Sequence, residues 1–152
     1  MTTADELTGQ QRAQWSAAAL GWERWGDWFD RNSGNLAGWL CDAARMAPGQ
    51  TVLDLACGSG QPSSTAAGRV RPGGRVIATD LSPDMVAVTN RKAQKLGLDN
   101  LEAREMDMQE LSFADASFDA ATCHHRSVRP GGGQAKVALA LNELSSTTAS
   151  GT

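Results

Sequence analysis

A chain of 152 residues with a formal net charge of -3 is long enough for one domain with a hydrophobic core, and it gives no reason to expect nucleic acid or an anionic membrane as a partner. No apolar run approaches the ~20 residues that cross a bilayer, and residues 1–10 lack the basic start of a signal peptide. The cysteines Cys41, Cys57 and Cys123 form no CxxC pair, so we expect a cytoplasmic protein with neither a disulfide framework nor a metal site.

The first 48 residues predict two helices. Between residues 10 and 29, apolar side chains recur every three or four positions and share one predicted face: Trp15, Ala18, Trp22, Trp25 and Phe29. A second helix is predicted over residues 36–46. A tryptophan-rich helix can close over a ligand and exclude water, or it can pack as ordinary core. For Trp15, Trp22 and Trp25 the sequence leaves both interpretations open.

Beyond residue 49, short apolar runs alternate with helical segments. Strands are predicted over four ranges: residues 51–57, 75–80, 101–106 and 117–123. Strands that alternate with helices across short turns indicate βαβ units, so we expect an α/β fold with a parallel sheet. Right-handed crossovers would place the glycine turn and the acidic strand ends at one edge of that sheet, where such folds bind ligands.

The alternation of strands and helices stops after Cys123. A triple glycine at 131–133 is followed by residues rich in Ser, Thr and Gly, so we expect residues 127–152 to form an atypical, flexible tail. The chain then divides into a helical lid segment (1–48), a ligand-binding core (49–126) and this tail. A sheet that ends at its fourth strand exposes that strand's outer edge, which predicts self-association.

The stretch VLDLACGSG (52–60) places a carboxylate and a glycine turn at the end of the first predicted strand. Gly58 and Gly60 let the backbone approach a ligand closely. The dinucleotide fingerprint requires a third glycine where this chain has Ser63, and the Asp54 carboxylate would repel phosphate but attract a cationic amine. The turn therefore indicates a ligand without a diphosphate. A generic turn with an incidental Asp54 is the alternative.

Acidic residues also end the second and third predicted strands. Asp80, 20 residues after Gly60, can accept hydrogen bonds from both hydroxyls of a ribose, or it can serve as a helix-entry residue. Asp107 can accept a hydrogen bond from the amine of adenine while Met106 and Met108 cover the ring, or these can be a surface acid and core methionines. Together, the glycine turn with Asp54, Asp80 and Asp107 indicate an adenosine-containing ligand that carries an amine, and S-adenosylmethionine is such a ligand.

The motifs VLDLACGSGQPS, GRVIATDLSPDMV, EMDMQEL and FDAATC resemble, in this order, the class I S-adenosylmethionine-dependent methyltransferases, and UbiE-like small-molecule methyltransferases in particular. The stretch WSAAALGWERWGDWF is similar to their N-terminal lid. The resemblance implies a Rossmann-like three-layer sandwich with strand order 3-2-1-4-5-7-6. It also implies transfer of a methyl group from S-adenosylmethionine to a small-molecule acceptor.

The resemblance further implies which residues hold this cofactor. The glycine turn would lie beside its methionine part, Asp80 beside the ribose, Asp107 beside the adenine amine, and Cys123 near the sulfonium. The implied cofactor-binding set is Asp54, Ala56, Gly58, Gly60, Asp80, Leu81, Met85, Asp107, Met108, Cys123, Trp15 and Trp25.

The chain departs from the family pattern beyond its fourth predicted strand. The family continues there with a helix, a fifth strand, a further helix and a β-hairpin, whereas RPGGG (129–133) follows almost at once here. We therefore expect a C-terminally truncated or altered member, and a non-catalytic S-adenosylmethionine-binding domain is the alternative. An NAD-dependent dehydrogenase is disfavoured by Ser63 and Asp54. Should the acceptor have to lose a proton, His124 and His125 are candidate bases, or they are two exposed loop residues.

Overall fold

The computed structural model describes residues 3–32 and 35–123, so the predicted tail at 127–152 lies outside the described residues. The helices are α1 (Ala4–Asn32), α2 (Leu36–Ala43), α3 (Ser63–Arg69) and α4 (Pro83–Lys95). The strands are β1 (Thr51–Leu55), β2 (Arg75–Asp80), β3 (Leu101–Glu105) and β4 (Ala120–Cys123). Among these described helices, none combines the length and the apolar character that crossing a bilayer would require.

The four strands form one parallel sheet in the order β3-β2-β1-β4. This result confirms the predicted α/β fold, and the order matches the first four strands that the family resemblance implies. Because all strands run in the same direction, their carboxyl ends meet at one edge of the sheet. We call this the carboxyl edge, and it comprises residues 56–60, 80–82, 106–108 and 123.

The two faces of the sheet are covered by different parts of the chain. Val52, Val76 and Ala78 face helices α2, α3 and α4 in one buried cluster. Leu53 and Ile77 alternate with them and face the opposite side, because successive strand residues point to opposite faces. In the described ranges, this second face is covered by side chains of the coil segment 106–119, in which two phenylalanine rings pack edge to face at 4.9 Å.

Helix α1 packs on α4, and its buried stripe differs from the predicted one. The buried or half-buried positions of the stripe recur at helical spacing: Trp15, Ala19, Trp22 and Gly26. Trp25 and Phe29, which the sequence placed on this face, are 54% and 44% exposed. Gly26 is buried instead, and a Cβ built there would lie 3.6 Å from Ser59 Oγ, an ordinary van der Waals distance. The bare backbone at Gly26 approaches the glycine turn, and the large side chains are rotated away from it.

Charged side chains also join α1 to α4. Three ion pairs connect the helices: Glu23 with Arg91, Asp27 with Lys95, and Asp30 with Lys92. The Lys92 Nζ to Asp30 Oδ2 distance is 2.6 Å, and these two side chains are the least exposed of the six. An open cleft of about 160 Å³ lies in this interface, with Ser59 in its wall. Because exposed pairs contribute only ~0–1 kcal/mol each, apolar packing remains the main attachment of α1.

The two outer edges of the sheet differ in how they are protected. On the β3 side, the Asn90 amide of α4 donates to Ala103 O at 3.1 Å and accepts from Ala103 N at 2.9 Å. This side chain satisfies backbone groups that would otherwise be open to another strand. On the β4 side, the described part of the chain supplies no strand beyond Ala120–Cys123.

Candidate ligand site at the carboxyl edge

The glycine turn after β1 has a backbone that few residues other than glycine adopt. Gly58 and Gly60 have φ angles of 53° and 100°, and Ala56 has a φ of 52°. A Cβ at Gly60 would also lie 3.3 Å from Lys92 Cδ, a tight contact that this flexible side chain could relieve, so the positive φ is the main reason for glycine there. Thr89 Oγ1 donates to Gly58 O at 2.8 Å from the α4 side. The turn is therefore fixed from behind by α4.

Asp80 lies beside this turn with both carboxylate oxygens held by backbone amides. Gly58 N–H donates to Oδ2 at 2.9 Å, and Ser82 N–H donates to Oδ1 at 2.9 Å. The residue is only 9% exposed. Because each carboxylate oxygen has two lone pairs and the described residues place one donor on each, one lone pair per oxygen can accept a further donor. Asp80 therefore presents two fixed acceptors, which is the arrangement that a ribose diol requires.

Asp54 is fully buried beneath the turn, and its partners are protein groups. It accepts hydrogen bonds from the hydroxyl of Ser63 and from Thr122 Oγ1, the latter at 2.9 Å. Burial raises the pKa of Asp54 to about 6; the bonds from Ser63 and Thr122 oppose this shift, and the Asp80 charge adds to it. Because Asp54 has no exposed surface in this conformation, the predicted effect on a ligand amine would operate through its charge rather than by contact.

The remaining strand ends extend the carboxyl edge on either side. Met106 N–H donates to Asp80 O at 2.9 Å and thereby places Asp107 directly beyond β3. Asp107 Oδ1 accepts from Gln109 N–H at 2.8 Å, which fixes the carboxylate in a turn. Cys123 ends β4 opposite Leu55. Four strands at ~4.8 Å spacing put these groups along roughly 14 Å of edge, enough for a nucleoside joined to a short aliphatic chain.

Several residues of the implied set have surroundings that the sequence did not predict. Met85 is 2% exposed and packs against α1 together with Trp15, so a ligand could contact it only after α1 had moved. Trp25 is half exposed and its ring centroid lies 5.8 Å from the Arg24 guanidinium carbon, outside the buried cluster. Met108 packs on the second face of the sheet. The candidate bases His124 and His125 lie outside the described residues.

Five residues of the site make contacts that the sequence did not predict. Ser63 was noted only where the dinucleotide fingerprint has a third glycine, and Ser82 was given no role in the site, yet the first binds Asp54 and the second binds Asp80. No sequence pattern indicated the contact of Thr122 with Asp54, because it depends on the register that places these two residues opposite each other in the parallel sheet. Arg12 and Ser16 of α1 also reach the carboxyl edge, where they contact Leu81 and Ser82 respectively. Only the docking of α1 on α4 brings them there.

The sequence profile of a family described as a methyltransferase domain matches residues 52–148, which is more than half of the chain. The chain belongs to this methyltransferase-domain family. The match begins in β1 and includes the glycine turn and the acidic strand ends described above. The predicted family is thereby confirmed.

Curated relatives share this methyltransferase domain over a segment of similar length. An arsenite methyltransferase from Halobacterium salinarum is 40% identical over 76 residues, which are 50% of this chain and 19% of that protein. A demethylmenaquinone methyltransferase from Bacillus cytotoxicus is 37% identical over 77 residues, which are 51% of this chain and 32% of that protein. The chain therefore matches less than two thirds of the length of these relatives.

The methyltransferase domain is also similar to a solved structure. Geranyl diphosphate C-methyltransferase from Streptomyces coelicolor A3(2), in complex with Mg²⁺, geranyl diphosphate and S-adenosyl-L-homocysteine, superposes with a TM-score of 0.57 and 26% identity. The superposition covers 64% of this chain and 36% of that one. It agrees with the Rossmann-like architecture that the sequence predicted.

Proposed function

We propose that this chain binds S-adenosylmethionine and is the cofactor-binding part of a methyltransferase that acts on a small-molecule acceptor. The observation that carries the proposal is the Asp80 carboxylate, oriented by Gly58 N–H and Ser82 N–H with one lone pair of each oxygen available. A ribose diol supplies two donors at matching separation. Membership of the methyltransferase-domain family supports the same ligand.

The order of groups along the carboxyl edge gives the proposed ligand one orientation. Adenine would lie at Asp107 and Met108, the ribose at Asp80, and the methionine part over the Gly58–Gly60 turn. The sulfonium, which supplies an electrophilic methyl group, would then point towards Cys123 and the end of β4. The chain's own residues align the cofactor, and residues 1–48 would act as the lid that keeps water out.

Asp54 explains why the same turn disfavours a dinucleotide. A diphosphate would need the free N–H groups at the start of the following helix. In this structure the buried Asp54 lies at the start of α3, where it accepts from the hydroxyl of Ser63, the first residue of that helix, and burial raises its pKa to about 6. A second anion placed there would be repelled. This arrangement supports S-adenosylmethionine over NAD as the ligand.

Calorimetric titration of the purified chain with S-adenosylmethionine, S-adenosylhomocysteine and NAD tests the proposal. We expect the two adenosyl ligands to bind and NAD not to bind. Transfer of a labelled methyl group to a panel of quinol, amine and sterol acceptors then tests catalysis. Binding without transfer to any acceptor would favour the alternative of a non-catalytic domain, and NAD binding tighter than S-adenosylmethionine would contradict the proposal.

We also propose that the chain self-associates through β4, because the described residues leave its outer edge without a paired strand. Size-exclusion chromatography with light scattering should show dimers or larger species whose fraction rises with protein concentration. A proline at Ala121, which would remove a backbone donor from β4, is expected to shift these species towards monomer if the chain still folds. A concentration-independent monomer of the unmodified chain would contradict this prediction.

We further propose a cytoplasmic location, with no nucleic acid among the partners. Two observations support it: the net charge of -3, and the burial of Cys41 and Cys57 as thiols outside any disulfide. Burial raises the pKa of both thiols, which makes them unreactive core residues.

A further inference from the structure

The amino-terminal half of α1 contacts the segment that follows Asp80. Ser16 Oγ lies 2.8 Å from Ser82 Oγ, and Arg12 Nε donates to Leu81 O at 3.2 Å. Arg12 also reaches Glu105 at the end of β3, at 3.7 Å. The helix is therefore attached directly to the ends of two strands at the carboxyl edge, far along α1 from its ion pairs with Arg91, Lys92 and Lys95.

Ser82 links this attachment to the carboxylate of Asp80. Its backbone N–H donates to Asp80 Oδ1 at 2.9 Å, while its hydroxyl accepts from Met85 N–H at 3.2 Å and shares a hydrogen bond with Ser16. Ser82 is fully buried, so its polar groups depend on these protein partners. Removing the Ser16 hydroxyl would leave the Ser82 hydroxyl with one partner fewer and would loosen the turn that orients Asp80.

We propose that Ser16 is a positioning residue, which acts through Ser82 to hold Asp80 in the orientation that binds the ribose. The proposal rests on the proposed function for its ligand, and it makes cofactor affinity depend on the docking of α1. Thermodynamic linkage requires the converse, so a bound cofactor stabilises the docked position of α1 by the same factor. The lid helix and the cofactor then stabilise each other through the contacts from Ser16 to Ser82 and from Ser82 to Asp80.

The variants Ser16→Ala, Ser16→Thr and Glu23→Ala test this proposal. Ser16→Ala removes the hydroxyl but favours the helix, Ser16→Thr keeps a hydroxyl, and Glu23→Ala breaks the α1–α4 ion pair with Arg91 away from Asp80. We expect Ser16→Ala to weaken S-adenosylmethionine binding about fivefold by calorimetry, since one hydrogen bond contributes ~1 kcal/mol. Ser16→Thr should recover most of this loss, and Glu23→Ala should change affinity less than twofold, because one exposed ion pair contributes too little to undock α1.

Amide hydrogen exchange of the ligand-free protein gives a readout that does not need the cofactor. The Ser82 and Gly58 amides, which bind Asp80, should exchange several-fold faster in Ser16→Ala and at the original rate in Glu23→Ala. Unchanged exchange in Ser16→Ala would overturn the proposal, as would faster exchange with unchanged cofactor affinity. If the original chain does not bind S-adenosylmethionine, the proposed function fails, while the exchange rates still decide whether Ser16 positions Asp80.

Discussion

Replacing Asp80 with alanine is expected to reduce S-adenosylmethionine affinity at least ~100-fold, the largest effect of any single change at the carboxyl edge. Two hydrogen bonds from the ribose hydroxyls to a carboxylate contribute ~1.5 kcal/mol or more each, and every 1.4 kcal/mol is tenfold in the dissociation constant. The variant also leaves the N–H groups of Gly58 and Ser82 without their acceptor. Calorimetric titration measures the loss directly.

The Asp84→Ala variant is the matched control for this experiment. Asp84 is exposed in the first turn of α4, so its removal changes the net charge by the same amount near the same helix end. The affinity of this variant for S-adenosylmethionine should stay within about twofold of the original chain, because Asp84 is not assigned to the cofactor site. Its surface charge contributes at most ~1 kcal/mol, and that to the stability of α4. Equal affinities of the Asp80→Ala and Asp84→Ala variants would show that the ribose site is wrongly assigned.

The second large effect concerns the dependence of stability on pH. Burial raises the pKa of Asp54 from its ordinary value of 3.8 to about 6, so the folded protein binds this proton more tightly than the unfolded chain does. The stabilisation from Asp54 is therefore complete below pH ~4 and is lost as the pH rises through ~6. A shift of about two units corresponds to roughly 3 kcal/mol.

The Asp54→Asn variant removes this titration while it keeps the shape of the side chain. Relative to the original chain, its free energy of unfolding should rise by roughly 2 kcal/mol between pH 4.5 and pH 7.5, as measured by urea denaturation. The Asp54→Ala variant should instead lose ~2–5 kcal/mol at both pH values, because the hydroxyls of Ser63 and Thr122 lose their acceptor. Parallel stability curves for the Asp54→Asn variant and the original chain would contradict the raised pKa.

The order of elements and the family could be predicted because their signals are local. Alternation of apolar runs with helical segments predicted β1 to β4 within a few residues of their observed bounds. The glycine turn could be predicted because few residues other than glycine adopt positive φ angles. Asp80 was predicted to lie beside this turn, because the turn and Asp80 follow the carboxyl ends of adjacent parallel strands.

The buried stripe of α1 could not be predicted, because apolar spacing fits two faces of a tryptophan-rich helix equally well. The structure buries Gly26 beside Ser59 and leaves Trp25 and Phe29 exposed, and glycine, which has no side chain, gives no hydrophobic signal in the sequence. Met85 is buried in one cluster with Ala19 of α1, which depends on how α1 packs against α4, and its contact with a ligand stays a prediction.

The sequence by itself determined the strand and helix order, the parallel sheet and the positions of the acidic strand ends, because periodicity, capping and glycine act within a few residues of one another. Tertiary structure decided which groups hold those acids: Ser63 and Thr122 for Asp54, and Ser82 with Ser16 behind it for Asp80. These partners are up to 68 residues apart in the chain, and hydrogen bonds over such separations depend on sheet register and helix docking. No local sequence pattern indicates the register of the sheet or the docking of α1.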